Sequence, residues 1–229
     1  MEKASIDIGE SKSFKAELAL EYMRLVLAKN QKMNLTSITD PLEFIEKHII
    51  DSLVALDYAR GDISLIDVGT GAGFPGVILK IANPSLKLAL LEATKKKLAA
   101  VASMAGQLGI GPIDFYPMRA EEAAQMKGMR EKYDVAIARA VARLPAHLEY
   151  LAGFVKVGGQ LVAMKSGQID AEILSAKNAA KTLGFGNIEL AEAALPYSGA
   201  SRKLAVYTKH APTDRQFPRH NSLISNSPL

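Results

Sequence analysis

The chain has no cysteine, which removes disulfides, thiolate zinc sites and cysteine nucleophiles from consideration. It also lacks the run of about 18 apolar residues that a membrane-spanning helix needs. The opening residues Met1-Glu2-Lys3-Ala4-Ser5-Ile6-Asp7 lack the apolar stretch of a secretion signal. No membrane association and a cytoplasmic location are therefore expected. Internal repeats and low-complexity tracts are absent too. What is present is 229 residues of which 48% are hydrophobic, enough for one domain with a substantial core.

The net charge is +4, from 28 Lys and Arg against 24 Asp and Glu. By itself this says little about a partner. Its distribution is uneven, because from Ser201 onward the cations Arg202, Lys203, Lys209, Arg215 and Arg219 face a single acid, Asp214. That pattern is either a solvated basic tail or a track for a polyanion.

Apolar spacing from Phe14 to Leu27 predicts an amphipathic helix. After a loop over 30–39, Asp40-Pro41-Leu42-Glu43 carries the N-cap, first-turn proline and returning glutamate of a second helix, expected to run to Tyr58. From Ile63 the pattern alternates between strand and helix. Strands are predicted at Ser64–Val68, Leu86–Leu91, Pro112–Tyr116, Val135–Ala138 and Gln160–Met164. Helices are predicted between them at Gly76–Ile81, Thr94–Leu108, Ala120–Met126 and Leu144–Phe154, with another at Asp170–Thr182. Two closing strands, Asn187–Ala191 and Lys203–Tyr207, flank a turn at Pro196-Tyr197-Ser198-Gly199. Repeated β-α units imply a doubly wound, mostly parallel α/β sheet with an antiparallel edge. The expected organisation is a helical extension over 1–60, a Rossmann-like core over 61–209 and an irregular basic tail over 210–229.

The most informative stretch runs from Leu65 through Asp67, Gly69, Gly71, Gly73 and Phe74-Pro75-Gly76 to Leu79. It reads as a buried strand, a glycine loop and an apolar helix. Glycines at alternate positions let the backbone turn tightly and approach a ligand. Two cofactors can claim them. Gly71, Gly73 and Gly76 fit the dinucleotide fingerprint, with Glu92 at about the distance of a ribose-binding acid. The glycine series starts earlier, however, and the acid Asp67 precedes it. S-adenosylmethionine carries a sulfonium and an ammonium and no phosphate, so a crevice with an acid at the first strand tip suits it better than it suits an anion. After the third strand, Arg119-Ala120-Glu121-Glu122 lies where an adenine edge can be held, or is simply a helix start that favours acids.

Five blocks then resemble one family. They are Asn34-Leu35-Thr36-Ser37-Ile38 with Asp40-Pro41 and His48-Ile49-Ile50-Asp51-Ser52-Leu53; Ile66 to Gly76; Ala138-Arg139-Ala140-Val141-Ala142; Ala163-Met164-Lys165-Ser166-Gly167; and Phe217-Pro218-Arg219. Together they resemble the bacterial small-subunit rRNA guanine-N7 methyltransferases, also called the glucose-inhibited division protein B family. The resemblance implies a class I methyltransferase fold with a seven-stranded sheet, S-adenosylmethionine as cofactor, and methylation of a guanine N7 in the 530 loop of 16S rRNA. It carries cofactor contacts onto Gly69, Phe74, Ala120, Glu121 and Arg139, beside Asp67, Gly71, Gly73 and Glu92 from the reading of the loop. The chain departs from the family at Ser166, which interrupts the usual Lys-Gly, and after Arg219, where most of the usual lysines are missing.

A guanine N7 has a free lone pair, so no general base is required and none is assigned. Positioning should carry the catalysis, with Arg139 and Lys165 as candidates. Arg143, Lys165, Arg215 and Arg219 are the candidate contacts to RNA phosphates. Naked 16S rRNA and the small ribosomal subunit are both admissible partners, no metal is expected, and the protein is expected to be a monomer. His48, in an apolar run, should be structural, with Asp51 within reach one turn on. Tyr22, Phe44 and Tyr150 are expected to be core, and Phe74 to lie near the ligand. The alternatives are an NAD(P)-dependent oxidoreductase and a non-catalytic RNA-binding assembly factor.

Overall fold

The computed structural model describes residues 15–139 and 142–229. Ala140 and Val141, within the third block, lie outside the described residues, as does Phe14 at the start of the first predicted helix. Seven strands form one sheet: β1 (Ser64–Val68), β2 (Lys87–Leu91), β3 (Ile113–Tyr116), β4 (Tyr133–Arg139), β5 (Val155–Ser166), β6 (Phe185–Ala194) and β7 (Ser201–Lys209). Their order is β3-β2-β1-β4-β5-β7-β6. The first five are parallel, and β7 runs antiparallel to both of its neighbours. The order reverses between β1 and β4, which puts a ligand crevice beyond the carboxyl end of β1.

Strand side chains alternate between two buried clusters. Leu65 of β1 and Leu88 and Leu90 of β2 point to one face, and Ile66, Val68, Ala89 and Leu91 to the other. On the first face lie α1 (Ala16–Asn30), α4 (Gly76–Ala82) and α5 (Lys95–Gln107). On the second lie α6 (Ala120–Ala123), α7 (Leu144–Ala152) and α8 (Asp170–Thr182), together with Phe217 and Ile224 of the tail.

The second predicted helix is interrupted. It starts as α2 (Pro41–Phe44), with the Asp40 carboxylate accepting the Glu43 N–H at 2.8 Å as the capping signal demands. It continues as a π-helical turn over Ile45–Ile50, a short α3 (Asp51–Leu53) and a 3-10 turn over Leu56–Ala59. Apolar spacing does not separate these turns, because all of them bury one face. The widened turn brings Glu46, His48 and Ile49 inward together. Glu46 then caps the β6–β7 turn, accepting the N–H groups of Tyr197 at 2.9 Å and Ser198 at 2.6 Å. Those two bonds, Ser198 first, hold its carboxyl below the ordinary range.

The tail is not wholly irregular. It ends in α9 (Asn221–Asn226), whose Ile224 is fully buried. Its basic charge is also largely neutralised. Arg202 pairs with Asp51, Lys203 with Glu192, Lys209 with Glu131 and Arg219 with Glu149. Of the five cations counted from Ser201 onward, Arg215 is the one without an ion pair among the described residues.

Candidate active site

The site grows from the tip of β1. Gly69, Gly71 and Gly73 all adopt positive φ, at 73°, 58° and 91°, where a Cβ would be strained. A Cβ on Gly73 would lie 2.4 Å from the Tyr22 hydroxyl, while one on Gly71 would point into open space. The space beside Gly71 is therefore open, whereas Gly73 yields its space to α1. Tyr22 uses that approach to donate its hydroxyl to the Ala72 carbonyl at 2.9 Å.

Asp67 lies beneath the loop, fully buried. Its Oδ2 accepts the Thr70 hydroxyl at 2.6 Å and the Gly76 N–H at 2.9 Å. Its Oδ1 has no partner among the described residues. Burial pushes its pKa up to about 6, against the pull of those two bonds and of the Arg139 charge. An orphaned buried carboxylate oxygen at a strand tip fits a cationic ligand head.

The loop does not fit a pyrophosphate. The Gly76 N–H is taken by Asp67, the Val77 N–H by the Gly73 carbonyl, and the Gly71 N–H by Glu92 Oε2 at 3.2 Å. Few amides face outward, and the Glu92 carboxylate lines the cleft beside the loop, where it would repel an anion.

Beside the loop is a cleft of about 240 Å³ lined by Gly69, Glu92, Ala120, Glu121, Tyr150 and Asn221, among others. The structure thus brings Gly69, Glu92, Ala120 and Glu121 together. Asp67 and Gly73 support the loop from below, and Gly71 bonds Glu92.

Phe74, expected near the ligand, turns its ring toward the N-terminal helices. Its ring is buried away from this cleft, stacked on His48 at 4.7 Å and edge-on to Tyr22 and Phe44. Apolar packing of the N-terminal helices claims the ring. Tyr150 belongs to the core as expected, and its edge also forms a wall of the cleft. It sits on a helix buried at every position, so no periodicity in the sequence marks it.

Arg139, at the end of β4, is locked in place. Its Nη1 donates to the Lys47 carbonyl at 2.8 Å and to Asp51 Oδ2 at 3.0 Å, and its Nη2 donates to His48 Nδ1 at 2.8 Å. His48 must therefore accept at Nδ1 and carry its proton on Nε2, which meets the Thr36 hydroxyl at 2.8 Å. Burial, reinforced by the Arg139 charge, lowers the His48 pKa to about 3 and keeps the ring neutral. His48 and Asp51 meet through Arg139, and Asp51 also accepts from Arg202 Nε at 2.6 Å. The sequence placed Asp51 beside His48 but did not join Arg202 to it, because a pairing across 151 residues leaves no local trace.

Two of the four candidate RNA contacts are committed elsewhere. Lys165 donates to Glu172 at 2.9 Å and to the Ala142 carbonyl at 2.6 Å, with its side chain 10% exposed. Arg219 holds the buried Glu149 through two guanidinium bonds of 2.8 and 2.6 Å. Lys165 is thus spent on the half-buried Glu172 and Arg219 on the buried Glu149. Arg143 and Arg215 are exposed.

An α/β sheet of this order, with an acid before a glycine loop and an open cleft at the strand tips, is the fold of class I S-adenosylmethionine-dependent methyltransferases. Solved structures agree. The chain is similar to an S-adenosylmethionine-dependent O-methyltransferase from Thermotoga maritima (TM-score 0.54, 15% identity, 82% of this chain and 72% of that one). It is similar also to a ribosomal protein L11 methylase from Lactobacillus delbrueckii (TM-score 0.52, 19% identity, 72% and 80%).

Sequence comparison narrows the class. A family model described as rRNA small subunit methyltransferase G matches residues 15–196. The protein of that name from Alkaliphilus metalliredigens is 41% identical over 212 residues, 92% of this chain and 89% of its own length. The one from Acetivibrio thermocellus is 44% identical over 201 residues, covering 87% and 83%. The chain belongs to the rRNA small subunit methyltransferase G family. Among the described residues no helix is long and apolar enough to cross a membrane.

Proposed function

We propose that the protein transfers a methyl group from S-adenosylmethionine to N7 of a guanine in the 530 loop of 16S rRNA. Membership of a family named for small-subunit rRNA methylation supports the reaction and the class of substrate. The single structural observation that carries the cofactor assignment is the acidic, pyrophosphate-excluding loop, with the Asp67 Oδ1 unpartnered beneath it.

The cofactor, when bound, supplies an electrophilic methyl group on a sulfonium. Gly69, Glu92, Ala120 and Glu121 would hold it, and a guanine N7 would receive the methyl group on its own lone pair. No proton leaves N7, so the fold needs no general base there. The chain's task is positioning. Asp67 and Glu92 provide negative potential at the strand tips. Arg139, clamped by His48, Asp51 and the Lys47 carbonyl, forms a fixed rim. Asp51 accepts from both Arg139 and Arg202, so a single carboxylate fixes two guanidiniums at this rim. Arg143 and Arg215, as exposed cations, are the remaining candidates for phosphate contact.

The test is transfer of a labelled methyl group to 16S rRNA and to small subunits from a strain lacking the gene, followed by mapping of the modified base. Label at a guanine N7 in the 530 loop is expected. Label elsewhere would overturn the site assignment, and absence of transfer to either substrate would overturn the activity.

A further inference from the structure

The tail does more than cover the second face of the sheet. Arg130, between α6 and β4, donates to the carbonyls of Thr213 at 2.7 Å, Asp214 at 3.0 Å and Phe217 at 2.9 Å. Gln125 donates to those of Arg215, Phe217 and Pro218 at 3.2, 3.1 and 3.3 Å. Arg219 then locks onto Glu149, with its backbone N–H as a third donor at 2.9 Å. Two residues on, these anchors deliver Asn221 to the cleft, against Tyr150.

The Tyr150 hydroxyl donates to Asn221 Oδ1 at 2.5 Å. With that oxygen taken, the amide presents its Nδ2 hydrogens as donors. The carboxylates lining the same cleft, Glu92 and Glu121, accept only. A purine needs both kinds of partner, since its exocyclic amine donates and its ring nitrogens accept. Asn221 supplies the neutral donor that the carboxylates lack.

We propose that Asn221, oriented by Tyr150, binds a ring nitrogen of the cofactor's adenine, which makes the C-terminal segment a wall of the cofactor site. This rests on the S-adenosylmethionine assignment above. It also gives the Phe217-Pro218-Arg219 block a role distinct from RNA contact: it sets the position of Asn221.

Calorimetric titration of the full chain with S-adenosylhomocysteine tests it. Asn221→Asp keeps the shape and the Tyr150 bond but replaces the donor with an acceptor, and at least tenfold weaker binding is expected. Tyr150→Phe, which removes only the orienting hydroxyl, should weaken binding about threefold. Leu223→Ala, at an exposed position of the same helix, should bind as the wild type does. Unfolding temperatures without ligand, unchanged in Asn221→Asp and Tyr150→Phe, separate contact from loss of the tail. Wild-type binding with both variants within twofold of it overturns the role of Asn221 and leaves the cofactor assignment standing. A wild-type chain that does not bind S-adenosylhomocysteine overturns the cofactor assignment itself.

Discussion

The two faces of the sheet are covered by segments from opposite parts of the chain, and the two coverings hold in different ways. The N-terminal helices hold mainly by aromatic packing. Tyr22, Phe44, His48 and Phe74 form one cluster against the glycine loop, and the charged groups Arg139, Asp51 and Arg202 lie at its rim. The tail holds mainly by polar anchors, Arg130, Gln125 and the Arg219–Glu149 pair, with Phe217 and Ile224 as its apolar pins. The first covering sets the backbone of the loop itself. The second sets one wall of the cleft beside it. An apolar interface resists opening over its whole area, whereas a strap held by a few polar anchors can open locally.

The sharpest way to break the first covering is Gly73→Ala. The added Cβ falls 2.4 Å from the Tyr22 hydroxyl at φ 91°, so strain and overpacking together should cost about 3 kcal/mol or more. Urea unfolding should report that loss, and calorimetry the loss of cofactor binding. Next in size is a matched pair. Asp51→Ala strands two largely buried arginines and should cost about 3 kcal/mol in urea unfolding. Arg219→Ala should cost about 1 kcal/mol globally, because the tail can open and let water reach Glu149. Hydrogen exchange over 213–226 should accelerate in Arg219→Ala while the strands stay protected. Equal global losses in the two variants would erase the distinction between the coverings.

A third prediction concerns pH. The Asp67 pKa is raised to about 6 by burial, so the free protein holds that proton at pH 5 and releases it by pH 7. A cationic ligand head favours the ionised form, so affinity for S-adenosylhomocysteine should rise about tenfold from pH 5 to pH 7. His48, with its pKa lowered to about 3, stays neutral across that window and does not contribute. Asp67→Asn should flatten the profile. The smallest effect is expected at the exposed cations. Arg143→Ala and Arg215→Ala should each lower the salt dependence of 16S rRNA binding by about one unit of slope, and Arg219→Ala, if its charge is committed to Glu149, by less.

The β1–loop–α4 unit was legible because its signals are local: an apolar run, glycines where φ must be positive, and a helix pattern directly after. The strand–helix alternation and the antiparallel closing pair followed from the same periodicities. The tail was harder to read. The cations from Ser201 onward looked like a basic track because Asp51, Glu131 and Glu149, which neutralise Arg202, Lys209 and Arg219, lie 151, 78 and 70 residues away in sequence. Phe74 was legible as a loop residue, but the packing of its ring on Tyr22 and His48 was not, because a sequence does not say which face of a turn meets a helix from 50 residues upstream. The cleft-facing edge of the core residue Tyr150 was hidden in a helix with no exposed face, and the π-helical turn in a helix with an unbroken apolar stripe.

The Glu46 cap on the β6–β7 turn has a consequence for motion. Glu46 binds Ser198, its neighbours His48 and Asp51 grip Arg139, and Phe74 stacks on His48. The edge hairpin, the fourth strand tip and the glycine loop are thereby riveted to one widened helical turn. A substrate that pushes on any one of them pushes on all three, so this rim should rock as a single plate, on the slow timescale of collective motions rather than that of independent loops.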